Sequence, residues 1–296
     1  MKGGLMIGVN RRRVMGGGGD VPPVNWDNEY LTFKALDSCT FNHTLFDVDY
    51  SLDDGSTWVT LAAGTDSPSV AAGKYIKFKG NIVPDSTGSG TFSSTGRYEV
   101  MGNPISLFYG DNFIGVTDLS GLTQPMKGMF YQSSNLISSE NLAMVAEKLP
   151  AQSCVLMFNQ CSAMEKTVSV LSATSFANAI YQNMYSGCTA LQVAPELPAT
   201  RLSNFCYQSM FQGCTGLTAA PALPATSLYA YCYQGMFSGC SSLSYIKMLC
   251  TSTGKNSLTG WVDGVAASGT FVKNAAMASL PTGANGIPDG WTVIDN

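Results

Sequence analysis

The sequence predicts a mixed α/β, multidomain chain. It comprises an N-terminal β-sandwich, then a short solenoid with one helix and one short parallel strand per coil, then a C-terminal β cap. Three observations predict it. A phrase within residues 206–240 occurs twice: Cys206-Tyr207-Gln208 returns as Cys232-Tyr233-Gln234, Met210-Phe211 as Met236-Phe237, and Gly213-Cys214 as Gly239-Cys240, always at an offset of 26 residues. A fixed period of ~20–50 residues means stacked supersecondary units. Residues 26–112 instead carry short runs of alternating polarity, broken by Gly, Pro and Asp turns, which is a β pattern. Finally, with only 12% charged residues, 45% hydrophobic residues and 31 glycines, the composition suits an ordered, repetitive surface better than a metabolic enzyme.

Taken in order, residues 1–25 read as a Gly-rich anchoring arm carrying Arg11, Arg12 and Arg13, closed by the stiff Val21-Pro22-Pro23 segment. Such a composition cannot bury enough apolar surface to fold by itself. In residues 26–112, the runs 30–36 and 74–80 alternate at period two, and 46–52 turns at Asp53-Asp54-Gly55 into 57–61, a hairpin signal. With two later runs, at 90–93 and 97–101, this predicts six or seven strands, a small sandwich of immunoglobulin or fibronectin type. Residues 113–250 hold about five coils. Met-aromatic pairs begin at Met129, Met157, Met184, Met210 and Met236, and Leu136, Met164, Leu191, Leu217 and Leu243 follow in step. Within one coil, Thr226 or Ser227 can cap a helix over 228–238 that Gly239 stops. At 100° per residue, Cys232, Tyr233, Met236, Phe237 and Cys240 share one inward face. Residues 217–223 would be the strand, kept short because Pro195 and Pro221 each remove a ladder donor. Beyond Cys250 the repeat dissolves, and residues 251–296 read as a C-terminal β cap whose end, a final hairpin or cap, shields the last open edge.

Composition also bounds function. A net charge of −4 gives no broad field for nucleic acid, and no apolar window reaches the ~18 residues of a membrane span. The apolar stretch 5–9 is too short for a signal peptide, and the arginines follow it, so export through a cleavable leader is not expected. Nine cysteines, eight of them within 154–250, read as buried thiols packing as small hydrophobes, not as a disulfide framework.

The candidate chemistry is thin. His43 is the only histidine and lies apart from most of the cysteines, so a catalytic triad has no obvious third member. Asp47, Asp49, Asp53 and Asp54 do not match the calcium loop of an EF-hand, because Gly55 is displaced and Thr60 stands where the bidentate Glu belongs. A calcium site of another kind in the sandwich stays open. The acids of the repeats, Glu140, Glu147, Glu165 and Glu196, are too scattered to pair as glycosidase carboxylates. No catalytic residue, cofactor site or metal site is therefore expected. Tyr181, Tyr207 and Tyr233 fall at the border of the buried face and read as core. Phe205 and Tyr231 fall on the outward face, where aromatics suit a partner surface.

The phrase MFxGCTxLTxAPxLPATxL resembles the 26-residue leucine-rich repeats of BspA-like bacterial surface proteins. Residues 210–223 and 236–249 match closely, 184–197 well, and the likeness covers roughly 113–250. That family includes cell-surface adhesins, and similar repeats occur in proteins of phages of gut Bacteroidetes. The resemblance, joined to the absent leader, implies a non-enzymatic virion protein (fibre, decoration or tail-associated) assembled in the host cytoplasm. Its arm, through Arg11 to Arg13, would dock to other virion proteins. Its repeats would adhere to host or mucosal glycans or proteins, and the protein would be a homo-oligomer without nucleic-acid or membrane partners. The alternatives are a bacterial cell-surface adhesin and, more remotely, a carbohydrate-active enzyme.

Overall fold

A computed structural model describes residues 24–173, 175–277 and 280–296. The first part holds β1 (Leu31–Ala35), β2 (Phe41–His43), β3 (Val48–Ser51), β4 (Val59–Leu61), β5 (Tyr75–Lys79), β6 (Phe92–Ser94) and β7 (Tyr98–Gly102), and then β8 (Leu136–Leu142). One sheet runs β4-β3-β5-β1-β7-β8, antiparallel as far as β7 and parallel from β7 to β8. The expected hairpin is present, with Val48 opposite Leu61 and a turn through the left-handed Asp54 and Gly55. Alternation decides which side is buried: in β5, Ile76 and Phe78 face the core while Tyr75 stays exposed.

The immunoglobulin- or fibronectin-like sandwich does not form. The layer facing this sheet is only the antiparallel ribbon β2–β6, whose Phe41 and Phe92 rings lie 5.3 and 4.9 Å from Phe33. The remaining inner face is closed by the first coil of the repeats, where Phe130 comes to 5.9 Å from Phe33. The Phe92 amide donates to the Met129 carbonyl at 2.8 Å. Sheet and repeats thus share one core and one hydrogen-bond ladder.

The predicted helix of each coil is also absent. Among the described residues the one α-helix is α1 (Ser106–Tyr109), outside the repeats, so the mixed α/β solenoid is replaced by a β- and turn-built one. Each expected helix is an arch of consecutive tight turns. In 205–214 the amides of Gln208, Met210, Gln212 and Cys214 each donate three residues back. The amides of Phe205, Tyr207, Ser209, Phe211 and Gly213 donate instead to the next coil, at 2.8–3.0 Å. Residues Phe205, Ser209 and Gly213 are left-handed, at φ 60, 50 and 73°. Tyr231, Gly235 and Gly239 repeat this one coil on, as do Asn256, Gly260 and Gly264. A right-handed helix cannot hold a left-handed residue in every turn. The sequence supplies Gly and Asn at many of these positions, where that conformation costs least.

The core prediction survives the change of backbone. Cys232, Tyr233, Met236, Phe237 and Cys240 are all buried, because the arch turns two residues in and two out and so shares the near-four spacing of a helix face. Opposite the arches the chain is nearly extended. It makes β9 (Lys148–Leu149) with β10 (Ser175–Phe176), then single parallel bridges such as Ala219 with Tyr245 and Leu223 with Met248 on either side of Pro221. Beyond β10, continuous strands appear among the described residues only at the end: β11 (Tyr245–Met248), β12 (Thr270–Lys273) and β13 (Thr292–Asp295), all parallel. Of the two forms expected for the end, hairpin or cap, the hairpin is not formed. The stacking expected to stop at Cys250 continues through the arch around Trp261 and two further strands.

Through the centre runs one file of rings. Phe130, Phe158, Tyr185, Phe211 and Phe237 stack 5.3–5.7 Å apart with planes within 6°. Phe92 at 6.1 Å begins the file and Trp261 at 6.1 Å ends it.

Candidate functional site

The outer side of the arches is where the chain presents regular chemistry. Phe205 and Tyr231 occupy equivalent left-handed positions, so their side chains leave the arch outward and meet ring to ring at 4.9 Å with planes 1° apart. Both are half-buried, and Tyr229, two residues before Tyr231, is 52% exposed. Bulky residues in this conformation carry backbone strain, which the five amide bonds per coil junction hold in place. The flanking equivalents are Ala179 and Asn256, which limits the aromatic strip to these two coils.

Beside the strip lies a ladder of amides. Gln182 donates through Nε2 to Gln208 Oε1, and Gln208 in turn donates to Gln234 at 2.6 Å. Gln124 with Gln152, and Gln132 with Gln160, make the same contact lower in the stack at 2.7 and 2.8 Å. Sequence reasoning missed this ladder, although Gln208 and Gln234 belong to the repeated Cys-Tyr-Gln phrase. The signal was a polar residue conserved in phase between coils of one chain.

The other candidates are taken up by structure. Tyr181, Tyr207 and Tyr233 are buried at 1–2% exposure and form an internal file of their own. All nine cysteines are free and buried. Cys161, Cys188, Cys214 and Cys240 donate through Sγ to the carbonyls of Phe130, Phe158, Tyr185 and Phe211 at 3.0–3.1 Å. Burial pushes the Cys161 and Cys240 thiols up to about 12, so neither is a poised nucleophile. His43 is buried, with Nδ1 2.9 Å from the Phe46 carbonyl, and burial lowers its pKa below the usual value. Asp53 holds its own turn, accepting from Ser51 and Thr57, whereas Asp47 accepts from the Ala63 amide and Asp49 from Thr60 across the β3–β4 pair. They do not converge, and no cluster of metal-binding side chains occurs among the described residues. Glu140 and Lys166 pair across neighbouring coils at 3.6 Å. Arg11, Arg12 and Arg13 lie outside the described residues. Among the described residues no helix is long and apolar enough to cross a membrane. No protein-family model, curated protein or solved structure matches the chain.

Proposed function

We propose that the chain is a non-enzymatic structural and adhesive protein of a phage particle. The N-terminal arm, through Arg11, Arg12 and Arg13, docks to other virion proteins. The stacked repeats are displayed to bind host-surface or mucosal glycans or proteins. The observation that carries this reading is the aromatic strip of Phe205 and Tyr231, set beside a glutamine ladder on an otherwise sparsely charged stack. Rigid aromatic faces beside amides suit recognition of a surface, because little side-chain freedom is lost on contact. The buried thiols and the hydrogen-bonded carboxylates support it further, since the chain offers partners shape and polar edges. Fractionation of producing cells tests the setting. Recovery with purified particles, lost on deletion of residues 1–20, is the expected result. Recovery in bacterial envelope fractions favours the cell-surface adhesin instead. The double variant Phe205→Ala/Tyr231→Ala should weaken attachment of particles without lowering their yield.

A further inference from the structure

The outer face of the N-terminal sheet carries a groove of about 660 Å³ that the repeats do not touch. Ser51, Lys77 and Thr32 lie in one cross-strand row over β3, β5 and β1, so their side chains leave the sheet on the side opposite Phe33 and Phe78 and form the floor. The segment around Trp26 and the loop 69–71 make the walls, and Tyr75, 49% exposed, stands at one end. In the floor the Lys77 ammonium is gripped by Glu29 and Asp54, each at 2.8 Å. Each carboxylate keeps a second oxygen besides the one on the ammonium, and Asp54 is 90% exposed. The sequence alone does not mark this site, because its residues come from three separated stretches, 24–32, 51–54 and 69–77.

We infer that this groove is a binding site for a neutral saccharide, separate from the aromatic strip on the repeats. Its volume lies within the ~300–1,000 Å³ of small-ligand sites. Two aromatic side chains, Trp26 and Tyr75, border it and offer apolar faces to the C–H side of a pyranose. The Glu29–Lys77–Asp54 group places acceptors and a donor side by side, the arrangement that vicinal hydroxyls, each both donor and acceptor, satisfy. The two acids, Glu29 and Asp54, and the two lysines, Lys74 and Lys77, cancel formally, so the lining selects neither an anion nor a cation. An extended peptide is a poorer fit. It would dock by adding to an open strand edge, and the groove lies on a sheet face whose strands β3, β5 and β1 are already paired on both sides.

The experiment uses the full chain on an array of immobilised neutral, acidic and amino-substituted oligosaccharides, followed by calorimetric titration of the best neutral binder. Binding that weakens roughly tenfold or more in Trp26→Ala and in Tyr75→Ala supports the site. Binding must also persist in Phe205→Ala/Tyr231→Ala, which separates this site from the surface proposed for adhesion. Asp54→Asn, an exposed change that leaves the fold intact, should weaken binding as well and covers the case in which Trp26→Ala fails to fold. Three outcomes overturn the inference: no neutral saccharide retained, binding indifferent to the Tyr75 and Asp54 variants, or binding lost with the repeat-surface variant.

Discussion

At the scale of single residues, the buried polar atoms set the testable behaviour. The Cys214 thiol donates to the Tyr185 carbonyl at 3.1 Å, but that carbonyl also accepts the Cys188 amide. Removing the thiol therefore orphans nothing. Cys214→Ala should cost about 1–3 kcal/mol, from the small cavity and the weak bond, well short of a broken network. Denaturant melts would measure it. Thiol labelling gives a sharper check: all nine cysteines should resist alkylation in the native chain and react after unfolding. His43 behaves in the opposite sense to a surface histidine. Its Nδ1–H donates to the Phe46 carbonyl, and burial, which outweighs the backbone hydrogen bonds to the ring, lowers its pKa. The folded state thus prefers the neutral ring, and the unfolded chain binds the proton first. Stability should be full above the ordinary histidine range and fall on acidification from about pH 7 towards pH 5, before the carboxylates titrate. Because His43 is the only histidine, His43→Phe should flatten that slope, and thermal melts across the window would show it.

At the scale of elements, the arch explains both what was legible and what was not. The inward set was legible, since a repeat of two residues in and two out gives nearly the same buried positions as a helix. Backbone state was not, because burial spacing alone does not separate 3.6 from 4 over nine residues. The distinguishing signal was the glycine spacing, Gly235 to Gly239 and Gly260 to Gly264, four apart where a helix tolerates glycine poorly. Read as a helix stop, Gly239 hid this. The sandwich was misread for a related reason: local alternation finds β1, β3, β5 and β7, but not that Phe130, far along the chain, completes their core. The groove by Trp26 and Tyr75 was illegible because only sheet register brings its residues together. Glycine at φ 61° makes a direct test. A Cβ on Gly260 would meet nothing within 4 Å, so Gly260→Ala adds no clash and isolates the left-handed penalty, about 1–2 kcal/mol. In a helix interior, where the in-phase Gly235 was expected to lie, such a change would stabilise by up to ~1 kcal/mol. The sign of the change in melting temperature therefore decides between the two backbones.

At the scale of the whole molecule, the ring file from Phe92 to Trp261 and the backbone hydrogen bonds beside it bind the N-terminal sheet to the repeats. Three separate groups of contacts cross residue 112. Phe92 donates its amide to Met129, Tyr98 donates its amide to Asn135 and shares a buried 2.8 Å hydrogen bond with Ser133, and β7 pairs with β8. Cutting the chain there would expose Phe33, Phe78 and Phe92 at once and leave the Tyr98 hydroxyl without its partner. Each buried aromatic is worth ~3–5 kcal/mol on truncation to Ala, comparable with the ~5–15 kcal/mol that holds a whole domain. A fragment of residues 24–112 is therefore expected to lack a cooperative melt and to self-associate. A fragment of 24–188, which retains the first three arches, should melt as a folded monomer. The intact chain should unfold with the N-terminal sheet coupled to its first coils, while the distal coils, tied only to their neighbours, can fray first. Hydrogen exchange would resolve this order: slow amides should centre on β1, β7 and the arches at Phe130 and Phe158, with protection declining towards β13, whose residues are all exposed. A 24–112 fragment that melted cooperatively as a monomer would show instead that the shared core adds little, and the sheet would then have to close its own inner face without Phe130.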